Sequence, residues 1–225
     1  RNSFMIKRME ALADRTVCAM GEQLKCGDFV PFVFEHKFNM EVGDGDRKQL
    51  MSGTIDRVDI CENGTDVYVR IIDYKTGKKD FNIVKTYYGI DIQLMVYMEA
   101  AMKLVAKMRP GKNVIPAGVF YYNISDPIVS ATTESAEEIE DKIKGELRLK
   151  GMVNSDKDIA EKMDNTEGTS LNIPVSRKAD GGFDSRRSKV MNTEQFNMLG
   201  RFVDVRAIDT ADRIAGGDIR RSPYK

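Results

Sequence analysis

The order of apolar and polar residues predicts helices in four stretches of the chain. Over 4–25 they fall at steps of three and four, which predicts an amphipathic helix at the start of the sequence. A second helix is predicted over 90–108, and a strongly charged one, typical of a solvated face, over 135–149. The last helix is predicted over about 193–217, with Thr193 as its N-cap.

Between the first two helices the apolar pattern favours strands. Strands are expected over 32–40, 51–61 and 66–75, and Asn63-Gly64 between the last two is a two-residue hairpin signal. Another strand is expected over 115–123, after the second helix. Hairpin strands followed by a helix and a returning strand predict an α/β fold, with a mixed central sheet flanked by helices.

The middle of the second half is less regular. Residues 125–190 are rich in Gly, Asp, Asn, Ser and Lys, and only 171–175 has an apolar run that predicts a short strand between loops. A chain of 225 residues can bury a sizeable core. We predict a single domain over 1–225, with its core at about 28–125 and the C-terminal helix at about 193–217.

The net charge excludes a global basic field. The 35 basic residues balance the 35 acidic ones, so that any contact with nucleic acid must come from local patches. Candidate phosphate contacts are Lys78, Lys79, Lys85 and the basic segment 186–189, although a solvated surface explains each equally well. No stretch approaches the roughly 20 apolar residues of a membrane span, and we expect no membrane contact and a cytoplasmic location.

Cysteine and histidine chemistry has little support. Cys18, Cys26 and Cys61 are widely spaced and form no CxxC pair, which favours free thiols in a reducing compartment. The only histidine is His36, and a lone histidine is more often structural than catalytic.

Candidate chemistry appears where the two hairpin strands come together. Asp73 and Lys75 are two residues apart in a predicted strand and therefore point to the same face. If Asn63-Gly64 forms the turn, Asp56 opposes Ile71, which places it on that face and diagonal to Asp73. The three charged groups suit either a metal-and-nucleophile site or a solvent-facing hairpin.

The same register separates two neighbouring aspartates. Asp59 is expected on the opposite face with Ile55 and Arg57, so the geometry selects Asp56 for the site. We accordingly expect Asp59→Ala to impair catalysis much less than Asp73→Ala does.

Three sequence blocks resemble a known family when they are taken together. They are GTIDRVD at 53–59, IIDYKTG at 71–77 and QLMVY at 93–97. In this order and spacing they resemble the PD-(D/E)XK nuclease domain of the RecB type. Within that type the chain is similar to the C-terminal nuclease domain of the AddB family of bacterial helicase-nucleases, and the segments 31–35 and 194–219 share this likeness.

The resemblance implies a restriction-endonuclease-like fold and metal-dependent hydrolysis of DNA in double-strand break processing. Asp56, Asp73 and the Tyr74 carbonyl match the family's metal ligands, and Lys75 matches its catalytic lysine. The implied cofactor is Mg²⁺ or Mn²⁺. The implied partners are DNA, at a single-strand end, and the other subunit of a helicase-nuclease.

Three further positions are implied with alternatives. Glu35 matches an upstream acid of the motif, and the less favoured alternative is a charged residue at a strand end. Gln93 and Tyr97 match a supporting motif and lie four residues apart on one helical face, where a polar pair packed on the sheet is the alternative.

Two departures from the family pattern limit the resemblance. RecB-type nucleases usually carry a histidine on a preceding helix that joins the metal shell; residues 1–30 supply none, and His36 does not match. The AddB family also holds an iron–sulfur cluster, and Cys18, Cys26 and Cys61 do not match its cysteines. The expectation is therefore a nuclease core without the cluster.

Two other functions remain open at this point. One is a nuclease-like fold that acts as a non-catalytic DNA-binding or subunit-docking module, which would have no need for Asp56, Asp73 and Lys75 together. The other is a stand-alone nuclease of the same superfamily, against which the likeness of segment 194–219 argues.

Overall fold

A mixed six-stranded sheet forms the centre of the protein, in a computed structural model that describes residues 2–43, 48–125, 127 and 135–220. The strands lie in chain order, and pairs three–four and five–six are parallel while the other pairs are antiparallel. This confirms the predicted α/β fold. The strands are β1 (Val30–Val42), β2 (Gln49–Asn63), β3 (Asp66–Lys75), β4 (Asn113–Asn123), β5 (Lys150–Asn154) and β6 (Val190–Met191).

Helices flank the sheet, and the four that the sequence predicts are present. The last of them begins one residue after its cap, which is Asn192 rather than Thr193; Asn192 and Gln195 form a reciprocal capping box. Two short helices, α2 and α5, have no counterpart in the sequence prediction. The helices are α1 (Asn2–Lys25), α2 (Ile83–Tyr87), α3 (Gln93–Met108), α4 (Ala136–Leu147), α5 (Lys157–Met163) and α6 (Thr193–Ala215).

The β3–α3–β4 crossover positions the candidate chemistry. Parallel strands need a crossing connection, and here α2 and α3 supply it. The first residue of α3 is Gln93, which therefore returns to the end of β3 where Asp73 and Lys75 lie. Buried apolar residues of α3, such as Leu94 and Val105, pack with the sheet to form one of two core clusters.

The β2–β3 hairpin is shifted by two residues from the predicted register. Its turn residues are Gly64-Thr65, with Gly64 at φ +59°, and the paired ladder ends at Arg57 opposite Ile72. A shift of two residues leaves each side chain on the same face of the sheet. Asp56 therefore stays on the face of Asp73 and Lys75 despite the error in register. Continuing the ladder by one residue places Asp56 directly opposite Asp73 rather than diagonal to it.

Strict alternation along β2 fails next to the site. The pattern predicts Ile55 on the same face as Arg57 and Asp59, but Ile55 is buried in the core cluster under α3. Across the sheet, the register of β1 places Glu35 opposite Asp56, and Glu35 has a φ of +48°. An extended strand does not hold that angle, so the β1 backbone is irregular directly opposite the point where alternation along β2 breaks.

The region after residue 125 is more regular than predicted, since β5, α5 and β6 lie within it. The predicted strand at 171–175 is wrong, although Ile173 and Val175 are buried in the second core cluster. The Ser170 hydroxyl accepts hydrogen bonds from the backbone N–H groups of Asn172 and Ile173, both at 2.9 Å. These local bonds occupy donors that a sheet ladder would need.

The first helix is present, but the described residues cover only part of its predicted apolar face, where Leu12, Met20 and Leu24 are half-buried. Phe4, Met5, Ile6, Met9 and Val17 are all more than half exposed. In the part of the chain that the structure describes, no helix is long and apolar enough to cross a membrane.

Candidate active site

Asp73, Lys75 and Gln93 form a closed group of contacts at the end of β3. Lys75 Nζ lies 2.5 Å from Asp73 Oδ2 and donates a hydrogen bond of 3.1 Å to Gln93 Oε1. Gln93 Nε2 in turn donates to Asp73 Oδ1 at 3.2 Å. Each of the three side chains is thereby oriented by the other two, which fixes the carboxylate and the ammonium relative to each other.

Tyr97 supports this group from one turn further along α3. Its hydroxyl accepts a 2.9 Å hydrogen bond from Gln93 Nε2, and its ring packs edge-on against Phe38 with centroids 5.8 Å apart. Gly53 makes room for the two rings, because a Cβ atom there would lie 3.0 Å from Phe38 and 3.3 Å from Tyr97. The glycine of the 53–59 block therefore has a packing role beside the site.

Asp56 enters the site from β2. Its carboxylate accepts a 2.7 Å hydrogen bond from the backbone N–H of Tyr74, the residue between Asp73 and Lys75. Burial raises the pKa of Asp73, the Lys75 ammonium opposes that rise, and the charge of Asp56 adds to it. The two carboxylates thus share one electrostatic environment on adjacent antiparallel strands.

The oxygens of this site fit a hard divalent cation. Asp73 is only 2% exposed, and its Oδ2 accepts no hydrogen bond of standard geometry from the described residues, although the Lys75 ammonium touches it. Within the described ranges, no three His, Cys, Asp or Glu side chains are grouped to bind a metal. Asp56 and Asp73 can thus supply two ligands, and a backbone carbonyl and water suit Mg²⁺ for the rest.

Glu35 stands apart from the hydrogen-bonded group. Its register position faces Asp56, but its side chain is exposed on β1. A non-glycine residue at φ +48° stores backbone strain of about 1–3 kcal/mol, which proteins retain where the surroundings demand it. What Glu35 contributes beside Asp56 is thus a strained backbone, and not a carboxylate that is hydrogen-bonded to the group.

Behind the site, a buried charge network holds the strand that carries Asp56. The Asp59 carboxylate accepts hydrogen bonds from Arg57 and Arg70, and all three side chains are at most 3% exposed. Arg57 Nη1 also reaches the Tyr74 hydroxyl at 3.5 Å. As predicted, Asp59 and Arg57 lie away from the Asp73 face, but no sequence pattern indicated that they are ion-paired in the interior.

A second polar cluster beside the site was also missed by sequence reasoning. The Tyr121 hydroxyl donates a 2.8 Å hydrogen bond to the buried Asp91, and Lys79 Nζ lies 3.1 Å from the other Asp91 oxygen. Lys75 and Lys79 lie 5.6 and 5.4 Å from the centre of the Tyr121 ring. Burial and Asp91 raise the pKa of the Tyr121 phenol, which therefore stays neutral. The only sequence signal was an acid two residues before Gln93.

The cysteines provide no metal centre in the described residues. Cys18 is exposed, Cys26 is half-buried and Cys61 is buried, and all three are free thiols. Burial raises the pKa of the Cys61 thiol, which disfavours the thiolate that a metal would need.

Comparison with known proteins gives a family and a set of relatives. A family model described as the PD-(D/E)XK nuclease superfamily matches residues 1–225. Proteins named as one subunit of an ATP-dependent helicase/deoxyribonuclease are similar over all of this chain: 35% identical in Clostridium botulinum (strain Hall) and in Lachnoclostridium phytofermentans, and 34% in Thermoanaerobacter sp. (strain X514). The chain spans about 20% of the length of each of these relatives.

Proposed function

Because the chain belongs to the PD-(D/E)XK nuclease superfamily, we propose that it is a DNA nuclease domain that hydrolyses phosphodiester bonds during double-strand break processing. The observation that carries the proposal is the buried Asp73 carboxylate, held between Lys75 and Gln93 and opposite Asp56. The names of the relatives support a helicase-nuclease partner subunit and a DNA substrate. We take the strand to enter at a single-strand end, and a DNA substrate implies a cytoplasmic location.

Asp56, Asp73 and the Tyr74 carbonyl are the groups that would hold Mg²⁺ or Mn²⁺. A bound divalent ion lowers the pKa of a coordinated water and neutralises charge on a phosphate. The protein's part is to keep both carboxylates ionised, since a ligand must be deprotonated to bind a metal. Lys75 does this for Asp73, because its ammonium opposes the rise in pKa that burial causes.

Lys75 has a donor to spare for the substrate. An ammonium carries three N–H donors, and two of them are engaged by Asp73 and Gln93. Among the residues that the structure describes, no hydrogen-bond acceptor engages the third, and we assign it to orienting the attacking water or to stabilising the negative charge that develops on the phosphate oxygens. Lys75 is partly exposed, with 29% of its side chain accessible, so that a DNA strand can reach it.

The test is cleavage of a labelled single-stranded oligonucleotide in Mg²⁺ by the wild type, Asp73→Asn and Lys75→Met. Removing either group is expected to lower the rate by about 100-fold or more, the usual effect of losing one electrostatic contact to a transition state. Asp14→Asn, a matched change on the exposed surface of α1, is the control and should cleave as the wild type does.

The alternative is a nuclease-like module that binds DNA without cutting it. It predicts oligonucleotide binding by the wild type with no cleavage in Mg²⁺ or Mn²⁺, and equal binding by the Asp73 and Lys75 variants. That pattern would contradict the nuclease proposal.

A further inference from the structure

A cleft beside the candidate active site collects basic side chains from three separate segments of the chain. Two follow β3, two flank the junction of α4 and β5, and one precedes β6. The cleft has a volume of about 310 Å³, enough for a phosphate group and its hydration. Its basic residues are Lys78, Lys79, Arg148, Lys150 and Lys189.

The positive charge of this basic cleft is only partly compensated. Its acidic residues are Asp80 and Glu146, and Asp80 is engaged by Lys189 at 2.5 Å. Arg148 Nε is buried and has no hydrogen-bond partner among the described residues. Burial and the neighbouring Arg148 charge lower the pKa of Lys150, and the charges of Glu146 and Asp80 oppose that shift. In a chain with equal numbers of acidic and basic residues, this local excess is not a general property of the surface.

The walls of the basic cleft are fixed by hydrogen bonds. The Asn123 side chain accepts a bond from the backbone N–H of Lys79 and donates one to its carbonyl, at 3.0 and 2.9 Å. Next to Arg148, the Leu149 N–H donates to the Asn172 carbonyl at 2.9 Å. The Lys189 N–H donates to the Pro174 carbonyl at 2.8 Å. The basic groups are therefore presented by ordered backbone, which reduces the cost of ordering on binding.

The basic cleft lies next to the candidate active site. Lys79 is one of its lining residues, and its ammonium pairs with Asp91, which also accepts the hydrogen bond from Tyr121. The Tyr121 ring faces the Lys75 ammonium as well. Lys75 and the cleft residue Lys79 thus both adjoin Tyr121, near the C-terminal end of β4, so a single strand that reaches Lys75 has the cleft beside it.

We propose that the basic cleft binds a phosphate of the DNA strand other than the one that is cleaved. This inference rests on the proposed function, because it takes the strand to pass Lys75. Arginine and lysine donors that converge on one cleft suit a phosphate oxygen, and one such contact positions the backbone without selecting a base.

The first experiment measures binding without cleavage. Affinity for a fluorescent single-stranded oligonucleotide is measured by anisotropy in EDTA, for the wild type, Lys78→Gln and Lys150→Met. Each variant is expected to bind about tenfold more weakly, and the slope of log affinity against log salt should fall by about 0.7 for the lost phosphate contact. The control is Lys107→Gln. Lys107 is exposed in the last turn of α3, which leads to the start of β4, whereas the cleft lies at Asn123, where β4 ends. Thermal unfolding checks that each variant is folded.

The second experiment separates this proposal from the proposed function. In Mg²⁺, with the oligonucleotide concentration varied up to saturation, the cleft variants should keep the wild-type kcat and show a raised KM. If the wild type does not cleave DNA but the cleft variants still lose affinity, the nuclease proposal fails and the cleft stands. If both variants bind the oligonucleotide as tightly as the wild type does, the cleft proposal is overturned.

Inorganic phosphate distinguishes a strand phosphate from a free anion. Phosphate should weaken oligonucleotide binding by the wild type more than chloride of equal ionic strength does, and this excess should vanish in Lys150→Met. A variant that loses the phosphate effect but keeps full oligonucleotide affinity would show a free-anion site and would refute the assignment to DNA.

Discussion

The Arg57 guanidinium donates two hydrogen bonds to the Asp59 carboxylate, of 2.6 and 2.8 Å, in the interior of the protein. Arg70 binds the same carboxylate at 2.9 Å and lies 4.9 Å over the Phe29 ring. The network therefore concentrates two cations on one buried anion, and Asp59 is the member on which the other two depend.

Replacing Asp59 by alanine should destabilise the fold strongly. Two buried arginines would lose the carboxylate to which both are hydrogen-bonded, which costs about 3–5 kcal/mol. Urea denaturation is the measurement, with Asp14→Ala on exposed α1 as the control for losing an aspartate. We still predict that catalysis by the Asp59→Ala molecules that remain folded at low temperature is impaired much less than catalysis by Asp73→Ala. Unchanged stability would show that the network contributes nothing net.

Asp73→Asn should remove activity without loss of stability. The raised pKa of Asp73 means that the folded state binds more protons than the unfolded chain does, between the ordinary value of 3.8 and the folded-state pKa. Wild-type stability therefore falls as the pH rises through that window, and the neutral amide escapes this penalty.

The measurement is urea denaturation of wild type and Asp73→Asn over a range of pH. The variant should be at least as stable above neutral pH, and its advantage should shrink as the pH is lowered toward 3.8. Lys75 keeps a hydrated ammonium when its partner is neutral, since 29% of its side chain is exposed. A variant that is less stable than the wild type only at high pH would contradict the assigned direction.

Gln93→Leu should lower activity through the orientation of its neighbours. Gln93 touches neither metal nor phosphate in the proposed mechanism, but it positions Lys75 and Asp73. Loss of such an outer contact typically costs about 10–100-fold in metal affinity or rate. Tyr97→Phe, which removes only the bond from Gln93, should have a smaller effect. Steady-state cleavage rates at several Mg²⁺ concentrations measure the effect of both variants. Equal losses of activity in Gln93→Leu and Tyr97→Phe would contradict the greater importance assigned to Gln93.

Asp56→Asn should raise the Mg²⁺ requirement. Removing one of two carboxylates lowers the negative charge of the site, and the half-saturating Mg²⁺ concentration should rise about tenfold or more. The amide oxygen of asparagine can still accept the Tyr74 N–H, so the strand geometry should be kept. Cleavage as a function of Mg²⁺ gives the result; an unchanged requirement would place the metal elsewhere.

The fold and the face of the site could be predicted because both depend on periodicity. Alternation in β3 placed Asp73 with Lys75, and parity protected Asp56 from a register error of two residues. The Gly64-Thr65 turn could not be chosen over Asn63-Gly64 from composition, since both pairs suit a two-residue loop.

Contacts between segments that are far apart in the chain could not be predicted from the sequence. The Asp91–Tyr121 bond joins residues on either side of α3, and the basic cleft joins segments from 78 to 189. Neither has a spacing that a local pattern can express. The strand predicted at 171–175 failed for another reason, because the Ser170 hydroxyl outcompetes a sheet ladder for nearby N–H groups.

Within four residues, β2 turns Asp56 toward the candidate site and Asp59 toward an internal ion pair. A single substitution can therefore remove Asp56 and leave the ion pairs of Asp59 intact. It would convert a nuclease domain into an inactive domain that is still stably folded. Loss of Asp59 would instead leave Asp56 in place on a chain whose folded state is much less stable. Inactive descendants of such a domain should accordingly retain Asp59 and Arg70 more often than Asp56, and a survey of their sequences can count this.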